Sequence, residues 1–235
     1  MSEHNPGIFI MIDGIDGSGK GLQTDLLQQR LVAAGLPVEK ISFPRYGQKS
    51  AAPIEEYLAG TYGTADDVGP YRGSILYAVD RFAAAHDIRT WLAAGKIVIA
   101  NRYVSSNMGH QGGKIADPAE RQKFFTWNYD LEYRIFAIPK PDIQLILHVD
   151  PVVAQELVDK KSAADRAYVG GTKRDIHEAD INHLRNAEQT YLEMVRLFPD
   201  FQLVECMENG QIMAPEKIQE LIWNTVAPRL QKKNV

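Results

Sequence analysis

The sequence predicts an α/β fold: a five-stranded parallel sheet with helices on both faces. Three observations lead to this fold class. The 235 residues are 45% hydrophobic and 24% charged, which is enough apolar side chain for one sizeable core. Short apolar runs alternate along the chain with longer stretches of helical periodicity. The sequence contains no repeat and no long Pro/Gly/Ser linker, so we predict a single domain over residues 1–235.

Five apolar runs, mostly of β-branched residues, are typical of strands that are buried on both faces. They cover residues 8–12, 41–43, 97–100, 143–149 and 201–204. Helical patterns lie between and after them, at residues 22–34, 72–94, 118–136, 152–161, 176–197 and 215–230. Because strands and helices alternate, we expect a parallel sheet whose ligands bind beyond the carboxyl ends of the strands.

The charge and the cysteine content exclude several classes of partner and site. A net charge of −4 gives no broad basic surface, so we expect neither a nucleic-acid partner nor binding to a membrane. Cys206 is the single cysteine, which excludes an internal disulfide and predicts a buried, unreactive thiol. The N-terminus has no basic segment, and the apolar run 8–12 is too short for a signal or a membrane span. We therefore expect a cytoplasmic protein.

A glycine-rich loop directly follows the first predicted strand and precedes a helix. Its residues are Gly14, Ile15, Asp16, Gly17, Ser18, Gly19 and Lys20. Glycine lets the backbone turn tightly and bring N–H groups close to an anion, and Lys20, expected to be exposed at the mouth of the loop, adds a positive charge. A glycine-rich turn without a ligand is the ordinary alternative. The strand before it and the helix after it favour a loop that binds the phosphates of ATP.

Magnesium handling is the unusual feature of this loop. Gly21, the last residue of the predicted phosphate-binding set, stands where a Ser or Thr hydroxyl normally binds Mg²⁺, so the ion needs other ligands. Asp16 is the nearest carboxylate and could hold the ion through water, because Mg²⁺ keeps several waters and needs few protein oxygens. Thr24 lies four residues after Lys20, but a Thr there more often caps or packs, and we do not assign it to the metal.

Three later segments combine arginine with aromatic or amide side chains. They are Phe43 to Gly47, Tyr77 to Arg81, and Asn101 to Gln111. Arginine can bind phosphate with two parallel hydrogen bonds, an aromatic face can stack on a base, and an amide can pair with a base edge. Taken singly, Asp80 and Arg81 could form a surface ion pair and Tyr77 could be a core aromatic. Their joint placement predicts a nucleoside monophosphate site.

In this order the motifs resemble those of the thymidylate kinases, a family of P-loop nucleoside monophosphate kinases. The resemblance covers roughly residues 8–200. It implies the P-loop kinase fold with a short lid at about 161–175, ATP and Mg²⁺ as cofactors, and transfer of the γ-phosphoryl group of ATP to dTMP, giving dTDP and ADP for dTTP synthesis. It rests on the loop 14–20, Phe-Pro-Arg-Tyr, Asp80-Arg81, Arg-Tyr-x-x-Ser-Asn ending in Gln-Gly, Pro141-Asp142, Asp150-Pro151 and the stretch 174–178.

The resemblance implies which residues contact the nucleoside of the acceptor. Tyr77 would stack on thymine, and Arg81 would address the carbonyl edge of the base. Asn107 or Gln111 would pair with that edge. Two histidines near the sugar could favour deoxyribose by crowding the 2′ position, or could serve by hydrogen bonding. The remaining substrate contacts would be Phe43, Tyr46, His110, Asp175 and His177.

The resemblance also implies how phosphate and metal are held. Arg102 and Arg45 would bind the acceptor phosphate, and Lys20 would follow the charge on the moving phosphoryl group. Asp16 and Glu178 would be the carboxylates around magnesium and the sugar. The catalytic set would thus be Lys20, Arg102, Asp16, Arg166 and Arg174.

The two lid arginines, Arg166 and Arg174, enter this set for one reason. Gly17 stands where some family members carry an arginine, so the charge that steadies the transferring phosphoryl group should come from the lid. A solvated loop is the ordinary alternative for the lid. Two further positions depart from the family pattern: Asn101 stands where Asp is usual, which removes an acid near the metal, and His110 stands where Tyr is frequent.

Two alternatives stay open from the sequence. A kinase for another nucleoside monophosphate or a deoxynucleoside is suggested by Gly-Lys-Gly, which also resembles adenylate kinases, although Leu22 stands where those have Thr. A nucleotide-binding module that has lost turnover is suggested by Gly21 and Asn101. Homodimerisation is typical of the family and compatible with apolar faces in 75–91 and 124–136, which core packing would explain equally well.

Overall fold

A five-stranded sheet forms the centre of the computed structural model, which describes residues 7–159 and 181–231. Its strands are hydrogen-bonded in the order β2-β3-β1-β4-β5, and every neighbouring pair is parallel. The α/β fold class and all five predicted strands are therefore confirmed. The strands are β1 (Ile8–Gly14), β2 (Val38–Ser42), β3 (Ile97–Asn101), β4 (Ile143–His148) and β5 (Phe201–Glu205).

Helices and a small hairpin complete the described part of the chain. The helices are α1 (Lys20–Ala33), α2 (Ala52–Leu58), α3 (Ala65–Ala93), α4 (Val104–Ser106), α5 (Pro118–Tyr129), α6 (Pro151–Asp159), α7 (Ile181–Leu197) and α8 (Pro215–Gln231). Two π-helical turns, Asn107–Gln111 and Asp130–Ile135, follow α4 and α5. A 3₁₀ turn covers Gly112–Lys114, and β6 (Met207–Glu208) pairs antiparallel with β7 (Gln211–Ile212).

The six predicted helices are present in the described ranges, with some boundaries corrected. The helix predicted from residue 72 begins at Ala65, because Thr64 and Asp67 form a capping box that starts it one turn before a kink at Gly69. The short helices α2 and α4 were not predicted, since seven and three residues carry too little periodicity. Residues 160–161 and 176–180 of two predicted helices lie outside the described residues.

The register of the sheet brings the carboxyl ends of three strands to one edge. Ile12 of β1 lies opposite Asn101 of β3 and Leu145 of β4, so the chain leaves these neighbouring strands at similar levels. All seven residues of β1 are buried. Burying one Val, Leu or Ile side chain stabilises a fold by about 1.5–3 kcal/mol. The central strand is therefore a firm anchor for the loop that follows it.

A second, smaller apolar cluster supports the amino-terminal half of α3. Tyr77 of α3 packs against it and meets Tyr57 edge to face, with 6.3 Å between the ring centroids and 83° between the ring planes. The cluster therefore fixes the ring that was predicted to stack on a base. Its buried members are Ala51, Ile54, Tyr57, Leu58 and Val68.

Cys206 is buried, as predicted, and burial raises the pKa of its thiol to about 12. Among the helices of the described residues, none is long and apolar enough to cross a membrane.

Candidate active site

The glycine-rich loop connects the buried strand β1 to helix α1, and its shape requires glycine. Gly17 has φ 84°, and a Cβ atom there would lie 2.1 Å from the carbonyl oxygen of Ala154 in α6. Gly19, with φ 81°, directly precedes the first helical residue, Lys20. The positive end of the α1 dipole therefore faces the loop, which suits an anionic ligand. Position 17 has no space for an arginine side chain.

Lys20 is held inside the loop. Its side chain is 8% exposed, and Nζ donates to the Ile15 carbonyl oxygen at 3.0 Å and to Asp16 Oδ1 at 3.4 Å. The expectation of an exposed Lys20 is therefore wrong: the loop carbonyl and the carboxylate draw the ammonium group inward. A phosphate that binds to Lys20 would have to replace the Asp16 carboxylate as a partner of the ammonium group.

Arg102 links this loop to the acceptor side. Its Nη2 donates to Asp16 Oδ1, so the Asp16 carboxylate contacts two cations, Arg102 and Lys20. Arg102 has φ 68°, in the left-handed region that a non-glycine residue seldom adopts, and its N–H donates to the Ile12 carbonyl oxygen at 3.0 Å. Although burial alone would lower the pKa of Arg102, the Asp16 carboxylate raises it above the ordinary value.

Two stacked histidines continue the chain of polar contacts from Arg102. His110 Nε2 lies 3.1 Å from Arg102 Nη1, and because a guanidinium can only donate, Nε2 must accept. Nδ1 of the neutral ring then carries the proton and donates to His183 Nε2 at 3.3 Å, with the rings 5.5 Å apart. Burial, assisted by the charge of Arg102, lowers the pKa of His110 well below its usual range. His183 was not predicted as a site residue.

Arg45 and Asp80 form a buried pair on the acceptor side. Asp80 is completely buried and accepts from Arg45 N at 2.8 Å and from Arg45 Nε at 3.0 Å. Ser50 Oγ donates to the same carboxylate at 2.6 Å. The alternative of a surface ion pair between Asp80 and Arg81 is therefore wrong, since both are buried and each pairs with another residue.

Arg81 pairs with Glu132, a residue that sequence analysis did not identify. Nε and Nη2 of Arg81 donate to the two Glu132 carboxylate oxygens at 2.6 Å each, and both side chains are buried. The amide nitrogen of Asn107 lies 3.3 Å from Glu132 Oε1 and donates to the Ser74 carbonyl oxygen at 3.0 Å. Burial would lower the pKa of Arg81, but the Glu132 carboxylate raises it above the ordinary value. Burial also raises the pKa of Glu132, and the charge of Arg81 opposes that rise. Because Arg81 can only donate, both Glu132 oxygens accept, which is the geometry of a carboxylate. Two predicted base contacts, Arg81 and Asn107, thus meet at one carboxylate.

Asp13 is a second residue that sequence analysis missed. It is completely buried at the end of β1, where its oxygens accept from Ser105 Oγ at 2.5 Å, Ser106 Oγ at 2.7 Å, Tyr191 Oη at 3.1 Å and the Gly14 N–H at 2.9 Å. These donors come from the loop, from the turn after β3 and from α7. In the sequence, the acidic Asp13 directly follows the apolar run 8–12, and this pattern could have indicated a buried carboxylate with hydrogen-bond partners.

The other predicted contacts differ in their surroundings. Phe43 is 4% exposed and packs on Tyr103 with 5.6 Å between ring centroids, so its ring belongs to the core, and its contact with substrate stays a prediction. Tyr46 is 38% exposed, whereas Gln111 is buried beside Gly73. Five of the predicted site residues lie outside the described ranges: Arg166, Arg174, Asp175, His177 and Glu178.

An open cavity of about 700 Å³ borders the acceptor side. His183 and Lys114 both line it, and each connects to a site residue: His183 contacts His110, and Lys114 Nζ donates to Tyr57 Oη at 2.8 Å beneath Tyr77. Burial lowers the pKa of Lys114 to about 8. The cavity therefore lies beside two neighbours of the predicted site, but none of its described lining residues is itself a predicted substrate contact.

The donor set of the loop is suited to a magnesium ion held largely by water. Asn101 Oδ1 is buried and has no hydrogen-bond partner among the described residues. A Cβ atom at Gly21 would lie 3.9 Å from Asn101 Nδ2, so the two departures from the usual metal-binding pattern are neighbours. One carboxylate, Asp16, and one neutral amide oxygen fit an ion that needs few protein ligands.

Comparison with known proteins identifies the family. The family model for thymidylate kinase matches residues 12–209. The chain belongs to the thymidylate kinase family. A thymidylate kinase from Mycobacterium tuberculosis (strain CDC 1551 / Oshkosh) is 33% identical over 189 residues, which cover 80% of this chain and 85% of that protein. One from Leifsonia xyli subsp. xyli is 30% identical over 154 residues, covering 65% of this chain and 68% of that protein.

A solved structure gives the same fold. Thymidylate kinase from Candida albicans superimposes with a TM-score of 0.72 at 21% sequence identity, covering 98% of this chain and 94% of that one. This likeness confirms the P-loop kinase fold class of the family. Family membership likewise confirms the resemblance that the ordered motifs indicated.

Proposed function

We propose that this chain is an ATP-dependent nucleoside monophosphate kinase that transfers the γ-phosphoryl group of ATP to dTMP, giving dTDP and ADP for deoxynucleotide synthesis. The observation that carries the proposal is the position of Arg102, which contacts Asp16 in the phosphate loop and His110 on the acceptor side. A hydrolase needs only water beside its nucleotide, whereas a kinase must place a second substrate in line with the γ-phosphate. A built acceptor pocket therefore favours the kinase.

Catalysis would rest on positioning and charge neutralisation, without a covalent intermediate. The phosphates of ATP and dTMP would supply new anionic partners for Lys20 and Arg102, and Asp16 would be released from both cations. Mg²⁺, when bound, would neutralise charge on the donor phosphates, held by Asp16, by Asn101 Oδ1 and, from the family resemblance, by Glu178. Arg45, oriented by Asp80, would bind the acceptor phosphate together with Arg102.

The charge that stabilises the transferring phosphoryl group is proposed to come from the lid at about 161–175, through Arg166 and Arg174. The support for this assignment is the phosphate loop itself. At Gly17, the backbone of Ala154 fills the space into which an arginine side chain would extend. An arginine from another segment is then required near the γ-phosphate.

We also propose a homodimer formed through one face of α3. Ile75, Val79 and Phe82 follow the four- and three-residue spacing of a single helix face, and they are 41%, 40% and 53% exposed. Ile135, 57% exposed, adjoins Phe136, whose ring lies 5.1 Å from that of Phe82. Such a contiguous apolar surface is typical of a protein interface. The single domain over 1–235 and the cytoplasmic location remain predictions.

Single-turnover phosphotransfer with a panel of monophosphates tests the proposed activity. We expect Mg-ATP to give dTDP from dTMP faster than it gives diphosphates from dCMP, dAMP or dGMP. Formation of another diphosphate with no dTDP would replace the proposal with the alternative kinase. Binding of ATP without transfer to any acceptor would support the module that has lost turnover, for which Gly21 and Asn101 are the motivating residues.

A further inference from the structure

Glu132 lies in the π-helical turn Asp130–Ile135, fully buried behind the predicted base contacts. We propose that Glu132 is a specificity-determining positioning residue, which orients Arg81 and Asn107 so that together they accept the imide edge of thymine and reject cytosine. This inference rests on the proposed function. It concerns how the base is selected, and it assigns the selection to a residue that does not touch the substrate.

Glu132 first fixes what Arg81 can offer. Two hydrogen bonds of 2.6 Å use Nε and Nη2 of Arg81 and hold the guanidinium in the plane of the carboxylate. The remaining nitrogen, Nη1, takes part in neither bond. Because a guanidinium has donors and no acceptor, Arg81 presents only N–H groups to a ligand, in a direction that Glu132 determines.

Glu132 also fixes the orientation of the Asn107 amide. The nitrogen Nδ2 faces three oxygen atoms: the Ser74 carbonyl at 3.0 Å, Asn128 Oδ1 at 3.3 Å and Glu132 Oε1 at 3.3 Å. If the amide were flipped, its oxygen would face a carbonyl and a carboxylate, which can only accept hydrogen bonds. The acceptor Oδ1 of Asn107 is therefore directed away from Glu132.

One donor beside one acceptor matches one kind of pyrimidine. Thymine and uracil present a carbonyl oxygen at C4 and an N–H at N3, whereas cytosine presents an amine at C4 and an unprotonated N3. Arg81 would donate to the C4 oxygen and Asn107 would accept from N3–H. With cytosine, the amine donor at C4 would face the Arg81 donor, and the N3 acceptor would face the Asn107 acceptor. A site built for hydrogen bonding discriminates strongly against a base that leaves these groups unpaired.

The decisive comparison is the ratio of kcat/KM for dTMP to kcat/KM for dCMP in the full chain and in two variants. In E132Q the neutral amide can donate as well as accept, so both neighbours can reorient, and we expect the ratio to fall about 100-fold. E132D keeps the charge but is one methylene shorter, so we expect an intermediate fall, about tenfold. The KM for ATP should be unchanged in both.

Glu193 provides a matched control, because it pairs with Arg121 at 2.7 Å and is not a contact of Arg81 or Asn107. E193Q should keep the wild-type ratio. Melting temperatures identify variants that fold, and E132D decides the question if E132Q does not fold. A folded variant at position 132 with the wild-type ratio would overturn the inference and reduce Glu132 to a structural role. Failure of the wild-type chain to prefer dTMP over dCMP would instead reject the proposed function.

Discussion

The phosphate loop and the acceptor pocket are neighbouring parts of one site that are built in different ways. The loop is formed by consecutive residues, 14–20, and owes its shape to the backbone, as the close approach of Gly17 to Ala154 shows. The pocket is formed by side chains from separate segments, joined by buried charged pairs such as Arg81 with Glu132, 51 positions apart. Such pairs are expensive to break, because one charge is then left buried without a partner.

Arg102 shows that the two regions are also coupled. Its backbone is held in the left-handed conformation at the end of β3, and its side chain reaches Asp16 in the loop and His110 in the pocket. The loop therefore supplies most of its groups locally, whereas the pocket depends on partners distant in sequence. If this comparison is right, loop variants should change transfer itself, and pocket variants should change acceptor selection.

The largest effect is expected from Lys20→Ala. Lys20 is already oriented toward the loop by Ile15 and Asp16, so its removal should lower turnover by about 10²–10³. The free energy of unfolding should fall by about 1 kcal/mol, the typical contribution of one hydrogen bond. Steady-state phosphotransfer and denaturant unfolding measure the two quantities, and the KM for dTMP should change little.

Lys217→Ala is the control for this variant, since Lys217 is exposed and pairs with Glu208 at 2.7 Å on the surface. It should leave turnover and stability near the wild-type values. If Lys20→Ala instead kept its turnover and raised only the KM for dTMP, the separation between a transfer loop and a selection pocket would be wrong.

The loop, the five strands and the order of the motifs could be predicted because each depends on local patterns: glycine spacing, β-branched runs and strand–helix alternation. Glu132 and His183 could not be predicted, because their importance comes from partners that only the fold brings together. The same limit explains Lys20 and Phe43, whose residue types indicated the right region but whose burial depends on packing. The lid residues, among them Arg166 and Arg174, stay predictions.

Asp13 allows a sharper test of whether the loop is self-contained. Asp13→Ala removes the acceptor for the Gly14 N–H and for two serine hydroxyls, and we expect unfolding free energy to fall by about 2–4 kcal/mol because buried donors lose their partner. Asp13→Asn keeps the shape and one oxygen, and the hydroxyls can rotate to donate or accept, so its loss should be smaller.

Urea unfolding of both variants measures their losses of unfolding free energy. Steady-state kinetics then show whether Asp13 also supports substrate binding. Because Asp13 joins the loop to Ser105 and Ser106 on the acceptor side, Asp13→Ala should raise the KM for ATP and the KM for dTMP together. If only the KM for ATP rose, the loop would need no support from the acceptor pocket. Equal destabilisation by Asn and Ala would contradict the hydrogen-bond account.

The smallest expected effect is a pH dependence of the melting temperature. It depends on a histidine that can titrate near neutral pH, of a kind that the acceptor pocket does not use in its Arg81–Glu132 pair. His148, at the end of β4, lies 2.9 Å from Glu188 of α7 and 2.7 Å from Glu205 of β5. Burial alone would lower the pKa of His148, but hydrogen bonds to the two carboxylates raise it above the ordinary value of about 6.5. The pocket is supported instead by the Arg81–Glu132 pair, whose guanidinium does not titrate in this range.

A histidine whose folded-state pKa is raised stabilises the fold fully below its unfolded pKa, and this contribution is lost as pH rises through the folded value. The melting temperature of the wild-type chain should therefore decline relative to His148→Gln as the pH rises above the ordinary histidine pKa of about 6.5 and through the raised folded-state pKa. His86→Gln, on an exposed position of α3, should follow the wild-type curve. Because His148 supports the strand beside β1 and not the base pocket, the ratio of dTMP to dCMP turnover should stay constant over this window. A change in that ratio would mean that the titrating bridge reaches the pocket, and the separation of the two regions would then have to be abandoned.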